Sequence, residues 1–473
     1  MKLFRIISII LCVCLSFSGV ASVDATAVLQ QNEQMVADEG NGLDAQVSYL
    51  GSGELVENAQ AVFLYEVNSD TLMYAWNPDL PVSPSSLVKI LTAYMAVTRG
   101  NLEDIVTVTE DVLAQVPYDA MTVELAAGEQ MSLQDLVYCM MVGSANDAAA
   151  VIANHISGSQ EAFVEEMNGF VQELGCTSTQ LKNAHGLHNE EQFSTVRDLA
   201  RILVAAMKNE AFMTFFSTVR YTVPATNLSE EREISSSNFL MNNEGMEIYY
   251  DSRVIGGRTG IADDGTRCLA TAAESNGLQL ICVLMGAESS YAEDGNTLVY
   301  GGFKETVALY DAAFSGYRNV QILYEGQTLR QSNVINGTND VILGSRTAVS
   351  AILPEGITQS DLNFRYSDIQ EAFQAPVSMG EKLSRLEVWY GNICVAQADL
   401  FAMNTVESKL DAAQQADDTY DYMRPVKIIL TVVLSLFAVA LVILFALRMI
   451  SKMRRFSKNS RNRRYRRDRR RSH

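Results

Sequence analysis

Residues 61–98 read AVFLYEVNSDTLMYAWNPDLPVSPSSLVKILTAYMAVT. Ala61–Glu66 and Thr71–Trp76 are short apolar runs separated by Val67-Asn68-Ser69-Asp70, a pattern that predicts a β-hairpin. After Pro81 and Pro84 the period changes. Ser86–Thr98 contains no Gly or Pro and places Leu87, Ile90, Leu91 and Tyr94 at i, i+3, i+4, i+7, the spacing of a helix. Further helical stretches run near 132–142, 146–156, 160–174 and 195–208. Strand-like segments return at Cys268–Ala273 and Leu278–Met285 around an Asn276-Gly277 turn, followed by a last helical stretch near 303–314. Strands at both ends with helices between them predict an α/β (α+β) body over 58–316: one sheet flanked by helices, its first and last strands adjacent. From Val320 to Val406 the segments become short and β-rich, with turns at Asn336-Gly337, Pro354-Glu355-Gly356 and Tyr390-Gly391-Asn392; a separate small β domain is expected over 318–406.

At 473 residues the chain has room for two or three domains, and 48% hydrophobic against 19% charged residues argues against disorder over most of it. The net charge of −20 is unevenly spread: residues 448–473 carry 13 Lys/Arg and one acid, +12, so everything before them carries −32. A body that acidic argues against a nucleic-acid-binding protein, because phosphate contacts need clustered cations. Residues 1–27 read as a secretory signal peptide, with Lys2 and Arg5 ahead of the apolar run Ile6–Val20 and small residues at Ala21, Ala25 and Ala27. A polar, acidic lead-in follows over 28–57, and an acidic stalk over 407–427. Residues 428–447 contain no charge, enough for one transmembrane helix. Arg448, Lys452, Arg454 and Arg455 come directly after it, which marks 448–473 as a basic cytoplasmic tail beside anionic lipid and places the acidic body outside. Cys12 and Cys14 fall in the signal; Cys139, Cys176, Cys268, Cys282 and Cys394 are odd in number, form no CxxC pair and read as packing residues. The chain has four histidines, and His185 and His188 flank Gly186-Leu187 in an expected loop, so no metal site is expected.

Three short motifs carry chemistry. Ser86-Leu87-Val88-Lys89 opens the first helix, where i and i+3 share a face, so the Lys89 amine reaches the Ser86 hydroxyl. A desolvated lysine is neutral enough to take the proton of a serine nucleophile, and the helix N-terminus offers N–H groups to an oxyanion. Ser144-Ala145-Asn146 lies 58 residues on, at a junction of two helical stretches; it is either an N-cap or a hydroxyl and amide serving the base. Arg258-Thr259-Gly260 comes 114 residues later, where a glycine on a sheet edge admits a substrate backbone and the cation and hydroxyl can hold a carboxylate. Each is ambiguous alone; the ordered trio is not.

The trio resembles the SxxK, SxN and KTG motifs of the serine D-alanyl-D-alanine carboxypeptidases, low-molecular-mass penicillin-binding proteins of the β-lactamase/transpeptidase-like fold. Similarity extends over Ser85–Ala93, Gly143–Ala148, Asn183–Leu187, Gln192–Thr195 and Arg197–Ala200, and 318–406 looks like the family's C-terminal β domain. The resemblance implies Ser86 as acylated nucleophile, Lys89 as base, and Ser144 and Asn146 as completing the proton network and positioning substrate. Arg258, Thr259 and Gly260 would bind the terminal D-Ala carboxylate, and the N–H groups of Ser86 and Ile261 would form the oxyanion hole. It implies a peptidoglycan stem peptide as substrate, β-lactams as acylating mimics, no cofactor, and a bacterial membrane location with the catalytic body outside.

The sequence departs from the family at Arg258, where a lysine is usual, at Asp263-Asp264-Gly265-Thr266-Arg267, and in its full apolar span in place of an amphipathic anchor. Arginine keeps the charge but is bulkier and does not give up its proton. Two other readings stand beside the carboxypeptidase: a non-catalytic wall-binding homologue, favoured by Arg258, and a β-lactamase, for which no deacylating glutamate motif is found between Ser144 and Arg258.

Overall fold

A computed structural model describes residues 43–44, 49–50, 55–244, 246–292, 296–367, 372–391, 393–410 and 423–468. The expected signal peptide, nearly all of the lead-in and most of the stalk lie outside these residues, as does 469–473 of the tail.

The opening hairpin forms as its pattern predicts: β1 (Ala61–Glu66) pairs with β2 (Thr71–Trp76). The later strands are β3 (Val254–Ile261), β4 (Arg267–Ser275) and β5 (Leu278–Ala287), and the sheet order is β2-β1-β5-β4-β3, antiparallel throughout. The first and last strands are indeed neighbours, with Phe63 opposite Val283. Asn276 and Gly277 both take positive φ, 52° and 77°, as a two-residue hairpin turn matched to the sheet's twist requires. β3 is left at the edge.

Successive side chains of a strand point to opposite faces, and here both faces are covered. Phe63, Tyr65, Ala270, Ile281 and Val283 face helices α1 (Val88–Arg99), α2 (Leu133–Met141), α3 (Asn146–Ser157), α4 (Gln160–Glu173) and α5 (Val196–Met207). Val62, Leu64, Leu269, Leu280 and Leu284 face α6 (Gly301–Gly316) through Phe303, Leu309 and Tyr310. That is why β1 reads as an almost unbroken apolar run. Each large side chain buried this way contributes about 1.5–3 kcal/mol. Ser132, Ser159 and Thr195 cap α2, α4 and α5, each accepting a backbone N–H, so helices expected from 132 and 195 begin one residue later. The helix Glu210–Phe216 and the ladders Ile105–Thr107/Gln130–Ser132 and Arg220–Val223/Arg232–Ser235 are absent from the sequence reading; they are too short for periodicity to register. Cys139, Cys176, Cys268 and Cys282 are buried and unpaired, as packing residues.

The chain divides into two compact units. One comprises residues up to 327, 345–368 and 383–400; beyond the sheet and its helices it holds the ladders Tyr317–Leu323/Val349–Pro354 and Asn363–Ser367/Lys382–Tyr390. The other comprises 328–344, 369–382 and 401 onward; it holds the pairing of Thr328–Ser332 with Val341–Ser345, the parallel pair Val334–Ile335/Phe373–Gln374, and α7 (Met423–Asp468). Within α7, Met423–Arg455 is long and apolar enough to cross a membrane, holding an 18-residue stretch with a mean hydropathy of 3.2, and contains the expected span.

Candidate active site

Ser86 sits in a 3-10 turn, Ser85–Leu87, that runs directly into α1. Among the described residues no side chain caps that turn; Leu87 N bonds Pro84 O within it, which leaves the Ser86 amide for another acceptor. The turn is fastened to edge strand β3: the Ser85 hydroxyl donates to the Ile261 carbonyl at 2.7 Å. Gly260 makes this approach possible, because a Cβ there would lie 2.9 Å from both Ser85 Oγ and the Ser86 nitrogen.

Lys89, one turn on, is fully buried. Its Nζ has three partners: Ser86 Oγ at 3.1 Å, Asn146 Oδ1 at 2.7 Å and the His185 carbonyl at 2.5 Å. Burial holds its pKa well below that of an ordinary lysine, and the charge of Arg258 pushes the same way against an opposing pull from Asp147. A neutral amine has two N–H bonds and one lone pair. Asn146 Oδ1 and the His185 carbonyl accept only, so they take the two N–H bonds and aim the lone pair at the Ser86 hydroxyl.

Both acceptors are themselves held. Asn146 begins α3, and its Nδ2 donates to Met121 O at 2.9 Å, which turns Oδ1 toward Lys89. The adjacent Asp147 accepts from the N–H groups of Leu125, Val123 and Ala148, pinning the 121–125 segment. The His185 carbonyl belongs to the loop between Gln180 and Phe193, which pair as a bridge, while Ser194 pairs with Val82 just ahead of Ser86. Inside the loop Asn183 Oδ1 accepts from Gly186 N at 2.6 Å, and Thr92 on α1 donates to Ala184 O at 2.6 Å. The His185 imidazole is pushed down to about 3 by burial and by Lys89, so it stays neutral, its Nδ1 accepting from Leu187 N.

Ser144, at φ 63°, lies in the turn between α2 and α3 and accepts from Arg258 Nη2 at 2.5 Å. Arg258 is 2% exposed, and its Nη1 donates to Met141 O at 3.2 Å. Its Nε is buried with no partner among the described residues. Burial brings its pKa down to about 10. Thr259, next on β3, shares a 2.7 Å hydrogen bond with Ser237 Oγ. Ile261 is exposed at the strand end. The fold thus gathers Ser86, Lys89 and Asn146 into one hydrogen-bonded set and Ser144 with Arg258 into a second, near enough for the Arg258 charge to act on Lys89, with Thr259, Gly260 and Ile261 along β3. The sequence reading did not find the His185 carbonyl, Asp147, the Met121 carbonyl, the Ser85 hydroxyl or Ser237. Ser85, Asp147 and His185 lie inside the family-like stretches Ser85–Ala93, Gly143–Ala148 and Asn183–Leu187; nothing marked the backbone acceptors or Ser237.

A family model described as D-alanyl-D-alanine carboxypeptidase matches residues 52–289, and one described as the C-terminal domain of penicillin-binding protein 5 matches 317–408. D-alanyl-D-alanine carboxypeptidase DacA of Haemophilus influenzae is 30% identical over 363 residues, covering 74% of this chain and 85% of its own. DacF of Bacillus subtilis is 25% identical over 341 residues, covering 71% and 82%. The structure of penicillin binding protein 5 from Haemophilus influenzae superposes with a TM-score of 0.63 at 28% identity, covering 76% of this chain and all of that one.

Proposed function

The chain belongs to the D-alanyl-D-alanine carboxypeptidase family, and we propose that Ser86 is its nucleophile and Lys89 the base that activates it. It is a serine hydrolase that removes a C-terminal D-alanine. The observation that carries the residue assignment is the buried Lys89 amine, with two fixed acceptors and one hydroxyl.

Ser86 Oγ attacks the penultimate D-Ala carbonyl as its proton passes to Lys89. The oxyanion is taken by the N–H groups of Ser86 and Ile261, at the close approach that Gly260 allows. The C–N bond then breaks, and the leaving amine receives a proton from Lys89, with Ser144 as the relay between them. Water, giving its proton to Lys89, attacks the ester and releases the peptide shortened by one residue. Arg258 supports the step from behind: its guanidinium only donates, so the Ser144 hydroxyl proton is left for the amine or for Lys89, and its positive field draws the substrate carboxylate toward Thr259.

The substrate proposed is a peptidoglycan stem peptide ending in D-Ala-D-Ala, with β-lactams acylating Ser86 as its mimics. The apolar helix anchors the chain in a membrane. The Lys/Arg cluster directly after 428–447 supports an orientation with the catalytic body outside the cytoplasm. D-alanine release from a synthetic peptide ending in D-Ala-D-Ala, compared with Ser86→Ala, tests the reading. Release that the variant abolishes is expected. A wild-type protein that neither releases D-alanine nor reacts with a β-lactam would instead be a wall-binding homologue, and steady turnover of penicillin a β-lactamase.

A further inference from the structure

A peptide that loses its last residue presents a carboxylate, and a carboxylate buried at a binding site needs a cation in direct contact. Arg258 is poorly placed to be that contact. It is 2% exposed, both of its terminal nitrogens already bond protein oxygens, Ser144 Oγ and Met141 O, and the nitrogen without a partner among the described residues, Nε, is the one nearest its own backbone. The hydroxyls at the mouth are those of Thr259 and exposed Ser237, bonded to each other on the other face of β3.

A second guanidinium lies on that face. In the β3–β4 ladder Ile261 is opposite Arg267, and Thr259 is opposite Leu269. Directly opposed residues share a face, and Leu269 belongs to the α6-side core, so Thr259, Ile261 and Arg267 project together. Diagonal neighbours such as Thr259 and Arg267 are about 7–8 Å apart, within reach of a long side chain. Packing points to the same corner. The Arg267 guanidinium sits 4.1 Å from the centroid of the Tyr300 ring, and Tyr300 lies 5.9 Å from the ring of Phe239, two residues beyond Ser237. Arg267 is half-buried, and its guanidinium has no hydrogen-bond or ion-pair partner among the described residues. A guanidinium held over a ring face by its central carbon still has its N–H bonds to offer a carboxylate.

We propose that Arg267 is the substrate-binding cation that receives the terminal carboxylate, beside Thr259 and Ser237, while Arg258 serves Ser144. This rests on Ser86 as the nucleophile of a carboxypeptidase. It assigns specificity for a free C-terminus to a residue outside the three motifs, and makes Tyr300 the platform that orients it.

The test uses the full chain in detergent and two substrates: a peptide ending in D-Ala-D-Ala with a free carboxylate, and the same peptide as its C-terminal amide. An uncharged thioester of the acyl portion reports Ser86 reactivity independently. Arg267→Gln is expected to lower kcat/KM for the acid about ten- to a hundredfold, the range for losing a hydrogen bond to a charged group, mainly through KM. Amide and thioester turnover should stay within threefold, and Arg267→Lys should recover part of the loss. An unchanged acid-to-amide ratio in Arg267→Gln overturns the proposal while leaving the carboxypeptidase reading intact. So does equal loss on all three substrates, since Arg267 would then act through the fold. A wild-type protein that turns over the thioester but never releases D-alanine from the acid overturns the underlying reading, and the proposal with it.

Discussion

Replacing Gly186 by alanine probes the site through its backbone alone. Gly186 has φ +84°, and a Cβ built there would lie 1.9 Å from the Ser85 carbonyl oxygen and 3.0 Å from the Ser86 nitrogen. Real Cβ atoms do not come closer than 3.0 Å, so either the loop or the Ser85–Ser86 turn must retreat by the difference, about 1.1 Å. Both are main chain, and both end on Lys89: the loop through the His185 carbonyl at 2.5 Å, the turn through Ser86 Oγ at 3.1 Å. A retreat of that size takes one of these bonds beyond hydrogen-bonding range. The left-handed conformation itself costs a non-glycine residue about 1–2 kcal/mol. Displacing a catalytic group by about 1 Å costs on the order of a hundredfold in rate. Gly186→Ala should therefore acylate with a fluorescent β-lactam about a hundredfold more slowly and melt several degrees lower. A variant within threefold of wild type would show that the loop does not hold the base, and the argument for Lys89 would lose its second acceptor.

The pH dependence follows from Lys89, whose depressed pKa means that the neutral base accumulates well below the pH at which a free lysine loses its proton. Acylation by an uncharged thioester should rise along one basic limb. In Arg258→Gln that limb should move to higher pH, because the repelling charge is gone; a limb that stays put or moves down would falsify the coupling. Asp147→Ala removes the acceptor of three backbone N–H groups and should cost about 2–3 kcal/mol in denaturant unfolding, with weaker substrate binding as the 121–125 segment loosens. Arg197 is buried over the Phe63 ring and bonds Asp79 and Leu43 O, but Asp79 is mostly exposed and can rehydrate. Arg197→Met should thus cost only about 1–2 kcal/mol and leave acylation unchanged; a lost acylation rate would tie Arg197 to the site. Ending the chain at residue 420 should free the protein from the membrane fraction with its β-lactam reactivity intact, and continued pelleting would show a second anchor.

The hairpin, the six helices α1–α6 and the turn at Asn276-Gly277 were legible because their periods run long enough to be read, or because only a few residue types fit the turn. The order of three motifs identified the chemistry, since SxxK places Lys89 over Ser86 by helix geometry alone. Short ladders such as Arg220–Val223 with Arg232–Ser235 were invisible, because four residues carry no readable period. Also invisible was every partner supplied by main chain. The His185 and Met121 carbonyls that fix Lys89 and Asn146 could have belonged to any residues, for a carbonyl leaves no mark in a sequence. Arg258 shows the division most plainly. Its charge beside Thr259 and Gly260 made it the carboxylate's natural partner on paper. Its burial against Ser144 and Met141, and the presence of Arg267 on the other face, depend on strand register and on which side of β3 each residue points. Sequence determined the chemistry available to this protein, because residue type and local spacing are written in it. Tertiary structure decided which groups are dry, which are aimed and which are left free, because those depend on contacts between residues far apart in the chain.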